Sequence, residues 1–234
     1  MDGRVERAYR RAGMNPVQDP RPKSFVGLDL GQSNDPTAMA ILSAAHIENG
    51  KNIPERKRKL LCPVLERIPL RTPYPLIVEY VSKVMRDVAK RSSKAHLIVD
   101  ATGVGRPVVD LFVAAGLKPI AVTITGGHDV TKGDMPGAVN VPKRDLISAL
   151  QVGMHSGNLK IAREIQFAEM LKRELEMFKI KVSTKGSVSL EAWRESDHDD
   201  LVLALALAAW AATYPDLRRF VSEPVTRGTI SYRR

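Results

Sequence analysis

The feature that most constrains the fold is an apolar run at residues 201–212, which follows two acidic residues, Asp199 and Asp200. It is the longest apolar run in the chain, yet it is shorter than the roughly 20 residues that a helix needs to cross a bilayer. We therefore expect residues 199–214 to form a helix buried in the core of a domain, and we expect no membrane partner.

The segments before this helix begin with three predicted strands. Residues 24–30 and 37–45 flank a turn rich in Gly, Asn, Asp and Pro, which is typical of a hairpin, and residues 60–68 follow as a third strand. The pattern then alternates between helices (75–91, 105–115, 142–153, 163–178) and short strands (95–100, 118–123, 180–182, 188–190), with a Gly-rich loop at 125–140. This order predicts an α/β fold with a mixed central sheet flanked by helices, whose first three strands are antiparallel.

Charge and length indicate one basic domain. The 234 residues include 36 Lys and Arg against 26 Asp and Glu, a formal net charge of +10. Such a surplus favours an anionic polymer, nucleic acid first, although a surplus that serves only solubility is the alternative. We expect a basic arm or linker at residues 1–23, a folded domain at 24–214 and a basic tail at 215–234. The only cysteine is Cys62, so an intramolecular disulfide is excluded, which fits a reducing cytoplasm.

Acidic residues lie at the ends of the predicted apolar elements. Asp29 sits in the first strand, Asp100 closes the fourth, and Asp199 and Asp200 open the last helix. An isolated buried charge is costly, and hard divalent cations with oxygen ligands are the usual compensation. If the first and fourth strands are neighbours, these acids converge. Two ions about 4 Å apart can activate a water and stabilise the leaving oxygen of a phosphodiester.

Each acid also has a purely structural interpretation. Asp29 could be satisfied by the turn that follows it, and Asp100 could cap the turn after its strand. Asp199 or Asp200 could be a helix N-cap, a position that favours aspartate. The hypothesis of a metal site therefore depends on all of these acids together.

Three ordered motifs carry a resemblance to a known family. They are FVGLDLGQSNDPTAMAIL, HLIVDATGVGRPVVDLF and VSLEAWRESDHDDLVLALALAAW. They resemble the three motifs of the nuclease domain of phage terminase large subunits, and VPKRDLISAL resembles the helix between the last two. The matched stretches extend over residues 24–214, most of the chain.

The resemblance implies an RNase H-like fold and a metal-dependent endodeoxyribonuclease that cuts concatemeric DNA during genome packaging with two Mg²⁺ or Mn²⁺ ions. Asp29 and Asp100 become metal ligands, and Asp199 or Asp200, preferably Asp200, supplies the third. Asp35 is a further candidate, directly or through water; its alternative role is that of a turn residue before Pro36.

Several cations are candidate contacts to double-stranded DNA, and the alternative for each is a structural or solvated role. They are Arg106, Lys132, Lys143, Arg144, Arg194 and His198. Since aromatic residues are few and Lys and Arg are many, we expect binding to be led by phosphates and weak in sequence preference.

The chain departs from the family in one respect. Terminase large subunits also carry a packaging ATPase, but no G-x-x-x-x-G-K-[ST] phosphate loop occurs in this sequence. Three interpretations of this departure stay open: an excised domain, a subunit of a split gene, or a stand-alone nuclease. The resemblance then allows a separate terminase ATPase, a small terminase subunit or a portal as partners, in the cytoplasm of a bacterial host of the phage or prophage.

Three other interpretations compete. A Holliday-junction resolvase of the same fold uses a similar set of acids. A DNA-binding packaging module without catalytic activity would retain only the basic surface. A sugar-kinase or actin-like ATPase is suggested by GLDLGQS, but it needs a second phosphate turn and a longer chain with two lobes.

Overall fold

The computed structural model describes residues 22–31, 35–45, 59–103, 105–162, 165–185 and 199–220. Within these ranges the strands are β1 (Lys23–Asp29), β2 (Thr37–Ala45), β3 (Lys59–Ile68), β4 (Lys94–Asp100), β5 (Pro119–Thr125), β6 (Thr131–Lys132), β7 (Ala138–Pro142) and β8 (Leu159–Ile161). The helices are α1 (Tyr74–Arg91), α2 (Gly105–Ala114), α3 (Lys143–His155), α4 (Ala168–Lys185) and α5 (Asp200–Thr213), followed by a 3-10 helix at Leu217–Phe220.

All eight strands belong to one sheet, in the order β6-β7-β5-β4-β1-β2-β3-β8. β1, β2 and β3 pair antiparallel, whereas β4 is parallel to β1, β5 to β4, β7 to β5 and β8 to β3. The short β6 pairs antiparallel with β7. The predicted mixed sheet with an antiparallel first trio is confirmed.

The sheet separates two hydrophobic layers. Side chains alternate between its faces, so that Val26 and Leu28 of β1 pack with α1 and α2, while Phe25 packs with α3, α4 and α5. α5 is buried on almost every side, as its apolar sequence predicts.

The close approach of α5 to β1 depends on Gly27. A Cβ atom at this position would lie 2.0 Å from the carbonyl oxygen of Ala204 and 2.9 Å from the backbone nitrogen of Ala208. Glycine therefore lets the helix lie directly against the strand. Because Asp29 follows Gly27 on the same face and Asp200 lies one turn before Ala204, this contact brings both acids to one end of the sheet.

The secondary structure differs from expectation at three places. Residues 180–182 were predicted as a strand but lie in α4, which continues to Lys185. The strand predicted at 188–190 lies outside the described residues and stays a prediction. The Gly-rich loop at 125–140 contains β6 and the start of β7, whose short apolar alternation is flanked by turn residues. β8 was missed because it has only 3 residues.

The core also extends past the expected domain end at residue 214. Leu217 and Phe220 of the 3-10 helix are buried, and the Phe220 ring packs on Tyr214 with centroids 5.7 Å apart. The domain boundaries themselves remain a prediction. Among the described residues, no helix combines the length and the apolar character needed to cross a membrane.

Candidate functional site

Asp29 and Asp100 lie side by side at the carboxyl ends of two parallel strands. The register pairs Leu28 with Val99, so the two aspartates come next on their strands. Both lie on the face that α5 covers, because they alternate with Leu28 and Val99, which pack on the opposite face. The predicted juxtaposition of these acids is therefore present in the structure.

The carboxylate of Asp100 is fixed by the turn that follows it. Its Oδ1 accepts hydrogen bonds from the backbone nitrogen of Thr102 at 2.8 Å and from the Thr102 hydroxyl at 2.5 Å. The same hydroxyl accepts from the backbone nitrogen of Ile124 at 2.8 Å, which ties the turn to β5. Asp100 thus has the turn-capping role that the sequence allowed, and this role orients its carboxylate.

Asp199 and Asp200 are both buried at the start of α5, 9% and 6% exposed. Asp199 occupies the N-cap position but makes no capping hydrogen bond with its side chain. Asp200 is held by Arg67 of β3 in a two-pronged ion pair, with Nε–Oδ2 at 2.7 Å and Nη2–Oδ1 at 2.6 Å. The N-cap interpretation therefore does not account for either carboxylate.

Arg67 also binds a further buried acid, Glu174 of α4. Its Nη2 donates to Glu174 Oε1 at 2.8 Å, and Glu174 Oε2 accepts from the backbone nitrogen of Val202 at 3.2 Å. Sequence reasoning missed both residues, since they lie on elements far apart along the chain. A signal was present for Glu174, which is a charged residue on the same face of α4 as the buried Leu171 and Leu175.

The site concentrates negative charge. The pKa of Asp29 is raised well above its ordinary value, first by burial and then by the charges of Asp100, Asp200, Asp35 and Glu174. The pKa of Glu174 is raised to about 8, first by burial and next by Asp200, against the lowering effect of Arg67. One arginine does not balance these carboxylates.

The donors fit a hard divalent cation, because they are carboxylate oxygens whose combined charge raises the pKa of Asp29 and would be relieved by positive charge. In this structure, however, these carboxylates do not form a complete metal-binding site. Among the described residues, no three His, Cys, Asp or Glu side chains are already placed to hold one ion, and Asp200 is engaged by Arg67.

Asp35 lies shortly before β2 and is exposed. A Cβ atom on Gly31 would lie 2.0 Å from the carbonyl oxygen of Asp35, so the close approach of these two backbone positions requires glycine. Asp35 is close enough for its charge to raise the pKa of Asp29. This place at the rim of the acidic cluster is compatible with a metal ligand and with a turn residue before Pro36, the two roles considered for Asp35.

The candidate DNA contacts fall into three groups. Arg106, Lys132 and Arg144 are exposed; Arg106 pairs with Asp110 at 3.6 Å, and Arg144 donates to His128 Nδ1 at 2.8 Å. Arg194 and His198 lie outside the described residues.

Lys143 forms the third group, because it is only 4% exposed. Burial lowers its pKa to about 8, while the nearby charge of Asp199 acts in the opposite direction. The structure therefore places this cation inside the protein beside Asp199, not on the surface.

Comparisons with known proteins identify the fold. No family model and no curated protein matches the chain. The nuclease domain of the human cytomegalovirus terminase superposes with a TM-score of 0.53 at 13% identity, over 95% of this chain and 100% of that domain. The fold is therefore the RNase H-like fold of a terminase nuclease domain, as predicted.

Two further solved structures are similar at lower scores. The large terminase nuclease of the thermophilic phage G20c gives a TM-score of 0.49 at 17% identity over 84% of each chain. Thermus thermophilus RuvC, solved with a Holliday junction substrate, gives 0.34 at 12% identity over 81% of this chain and 92% of that one. The phage protein has also been solved with bound zinc and with bound magnesium, and the cytomegalovirus domain after a manganese soak.

Proposed function

We propose that this protein is a metal-dependent endodeoxyribonuclease of the terminase large-subunit type. The observation that carries the proposal is the convergence of Asp29, Asp100 and Asp200, from three separate elements, at one end of the sheet. The charges of Asp100 and Asp200 raise the pKa of the buried Asp29, and divalent cations would relieve this repulsion. The shared fold with the cytomegalovirus nuclease domain agrees with this assignment.

Asp29, Asp100 and Asp200 are the proposed metal ligands, with Asp199 and Asp35 as additional candidates. Asp200 is preferred to Asp199 because its charge acts on Asp29, whereas Asp199 acts on the buried Lys143. Two Mg²⁺ or Mn²⁺ ions, when bound, would supply an activated water and stabilise the leaving oxygen of the phosphodiester.

The chain's own residues orient the donors. Thr102 fixes the direction of the Asp100 carboxylate through two hydrogen bonds to one oxygen. Arg67 holds Asp200 and is itself held by Glu174, so that β3 and α4 both position the start of α5. Pre-organised donors lower the cost of ordering the site when a cation arrives.

The proposed substrate is double-stranded DNA, bound through its phosphates. Arg106, Lys132 and Arg144 are exposed cations that would contribute contacts, and the net charge of +10 favours a polyanion. In this proposal, DNA translocation is performed by a separate terminase ATPase, and a small terminase subunit or portal would recruit the nuclease in the cytoplasm of the bacterial host.

The proposal is tested by cleavage of supercoiled plasmid with Mg²⁺ or Mn²⁺, with and without chelator, by the wild type and by Asp29→Asn. We expect cutting that requires the metal. The variant should lose more than about 100-fold in rate, since even the loss of an outer partner of a metal ligand costs 10- to 100-fold. Ser24→Ala, on the same strand at its other end, is the matched control and should cut like the wild type.

Each other outcome has a defined meaning. Cutting that persists in chelator, or that Asp29→Asn leaves unchanged, contradicts the proposal. A folded wild type that binds DNA without cutting it supports the packaging module without catalytic activity. Preference for a four-way junction over linear duplex in the same assay supports the resolvase.

A further inference from the structure

A pocket lies beside the acidic cluster and shares Asp35 with its rim. Gly31, Asp35 and Thr37 form one wall. The other wall is formed by the connection between β3 and α1, which includes Leu70 and Arg71, and by Tyr74, the first residue of α1. The β2–β3 register places Ile68 opposite Thr37, so this connection leaves the sheet next to the start of β2. The pocket holds about 290 Å³, near the lower limit of roughly 300 Å³ for small-molecule sites.

Hydrogen bonds within its walls hold the pocket in shape. The backbone nitrogen of Gly31 donates to the Thr37 hydroxyl at 3.1 Å, and the Tyr74 hydroxyl donates to the carbonyl oxygen of Gly31 at 3.3 Å. The Thr72 hydroxyl donates to the carbonyl oxygen of Pro69 at 2.6 Å. These polar groups therefore stabilise the walls of the pocket. Arg71 is the positively charged residue among those that line it.

Arg71 has an unusual backbone. Its φ is +64°, in the left-handed region that glycine occupies without strain and other residues rarely adopt. Its side chain is exposed, and it makes no hydrogen bond or ion pair with any residue that the structure describes. By contrast, Arg67, four residues earlier and on β3, is hydrogen bonded to Asp200 and Glu174. A strained position that carries a free cation next to a candidate catalytic site suggests a functional reason for the arginine.

We propose that this pocket is a subsite for the sugar-phosphate backbone of DNA, in which Arg71 binds a phosphate close to the scissile one. The inference rests on the proposed nuclease function and adds a substrate contact to it. Arginine matches phosphate geometry with two parallel donors. Leu70, 47% exposed beside it, offers an apolar surface for the adjoining sugar.

The wall opposite Arg71 contains Asp35, so binding of a phosphate in this pocket should depend on a bound divalent cation. Asp35 lines the pocket and would repel a phosphate unless a divalent cation neutralised the acidic end of the sheet. The backbone would then lie between the cation on one side and Arg71 on the other. DNA affinity should therefore depend on both the metal and Arg71.

The test is the salt dependence of duplex binding by the full chain in Ca²⁺, measured by fluorescence anisotropy for the wild type, Arg71→Gly and Arg71→Lys. The logarithm of the binding constant falls as the logarithm of the salt concentration rises. Loss of one phosphate contact in Arg71→Gly should make this slope less steep by about 0.9. Arg71→Lys keeps the charge and should keep the slope. Arg86→Ala, which removes an exposed arginine of α1, is the matched control and should change nothing.

Folding does not confound this experiment, because glycine adopts the φ of residue 71 without strain and should not lower the melting temperature. If the wild type binds and cuts DNA but Arg71→Gly keeps the wild-type slope, the subsite is wrong and the nuclease proposal stands. If the wild type binds no DNA, both proposals fail.

A cross-link can locate the contact. Cys62 is fully buried and its pKa is raised to about 12, so a thiol introduced by Arg71→Cys would be the reactive one. A photo-cross-linker attached to that thiol should join the duplex within a few nucleotides of the cut. Cross-links spread evenly along the duplex would overturn the subsite.

Discussion

The two ends of the β1–β4 strand pair bury polar groups in opposite ways. At the end where the strands begin, Ser24 hydrogen bonds with Ser92 at 2.6 Å and lies 3.3 Å from Ser43, all three being buried. Beside them, His96 stacks on Phe25 with centroids 5.4 Å apart, and burial lowers the pKa of this histidine to about 4, which keeps it neutral.

The other end of the same strands carries Asp29 and Asp100, with Asp200 and Glu174 close by. Neutral hydroxyls can donate to and accept from one another, so the first end is satisfied by itself. Ionised carboxylates only accept, and they repel one another, so the second end is relieved either by protonation or by added cations. The function proposed above assigns this second end to cations, in keeping with the usual place of ligands at the carboxyl ends of strands in open α/β sheets.

The largest effect on stability should come from removing Arg67, which pairs with Asp200 and Glu174 at the acidic end of the sheet. Arg67→Met leaves the buried carboxylates of Asp200 and Glu174 without their half-buried partner, which should cost about 3–5 kcal/mol in unfolding free energy. Urea unfolding in chelator measures this loss. Mg²⁺ should restore part of it, because the ion takes over the compensation, and Arg67→Lys should lose less. If Arg67→Met loses the same unfolding free energy with and without Mg²⁺, the acidic end does not differ from the other end in its need for cations.

A smaller effect should appear as a pH dependence at Glu174. Its pKa is raised from 4.5 to about 8, so the folded state favours the protonated carboxyl. Its contribution to stability is then fully present below pH 4.5 and lost as the pH rises through 8. Glu174→Gln removes this loss. We expect the melting temperature of the variant to rise relative to the wild type across that window in chelator; a difference independent of pH would argue against it.

The smallest effect on stability is expected at the neutral end, the end of β1 and β4 where Ser24, Ser43 and Ser92 are buried. Ser24→Ala breaks the hydroxyl contacts with Ser92 and Ser43 and should cost about 1 kcal/mol, because the remaining partners can satisfy each other only in part. Thermal unfolding measures this cost, and neither metal nor chelator should change it. A metal-dependent cost at Ser24 would remove the distinction between the ends.

The sequence predicted that Asp29 and Asp100, the strand-borne half of the candidate site, would lie on neighbouring strands. Asp29 and Asp100 end apolar strands, and the order of strands and helices is enough to place those strands in one mixed sheet. This information is local, because period-two alternation and turn residues are read directly from the chain. The buried helix α5 was predicted for the same reason.

The helix-borne half depends on tertiary contacts that no local pattern reveals. Arg67, Glu174 and Asp200 come together from β3, α4 and α5. Lys143 was expected at the DNA surface because a lysine at a helix start is usually solvated, but packing of α3 against α5 buries it. The strand predicted at 180–182 failed because its short apolar alternation also fits the continuing helix.

The central claim is that the acidic end of the sheet requires divalent cations whereas the neutral end does not. The direct measurement is a titration with Mn²⁺ followed by electron paramagnetic resonance of the free ion, for the wild type, Asp29→Asn and Ser24→Ala. The account predicts saturable binding of Mn²⁺ by the wild type and by Ser24→Ala, and its loss in Asp29→Asn. Equal binding by Asp29→Asn and the wild type, or no binding by a folded wild type, would contradict it.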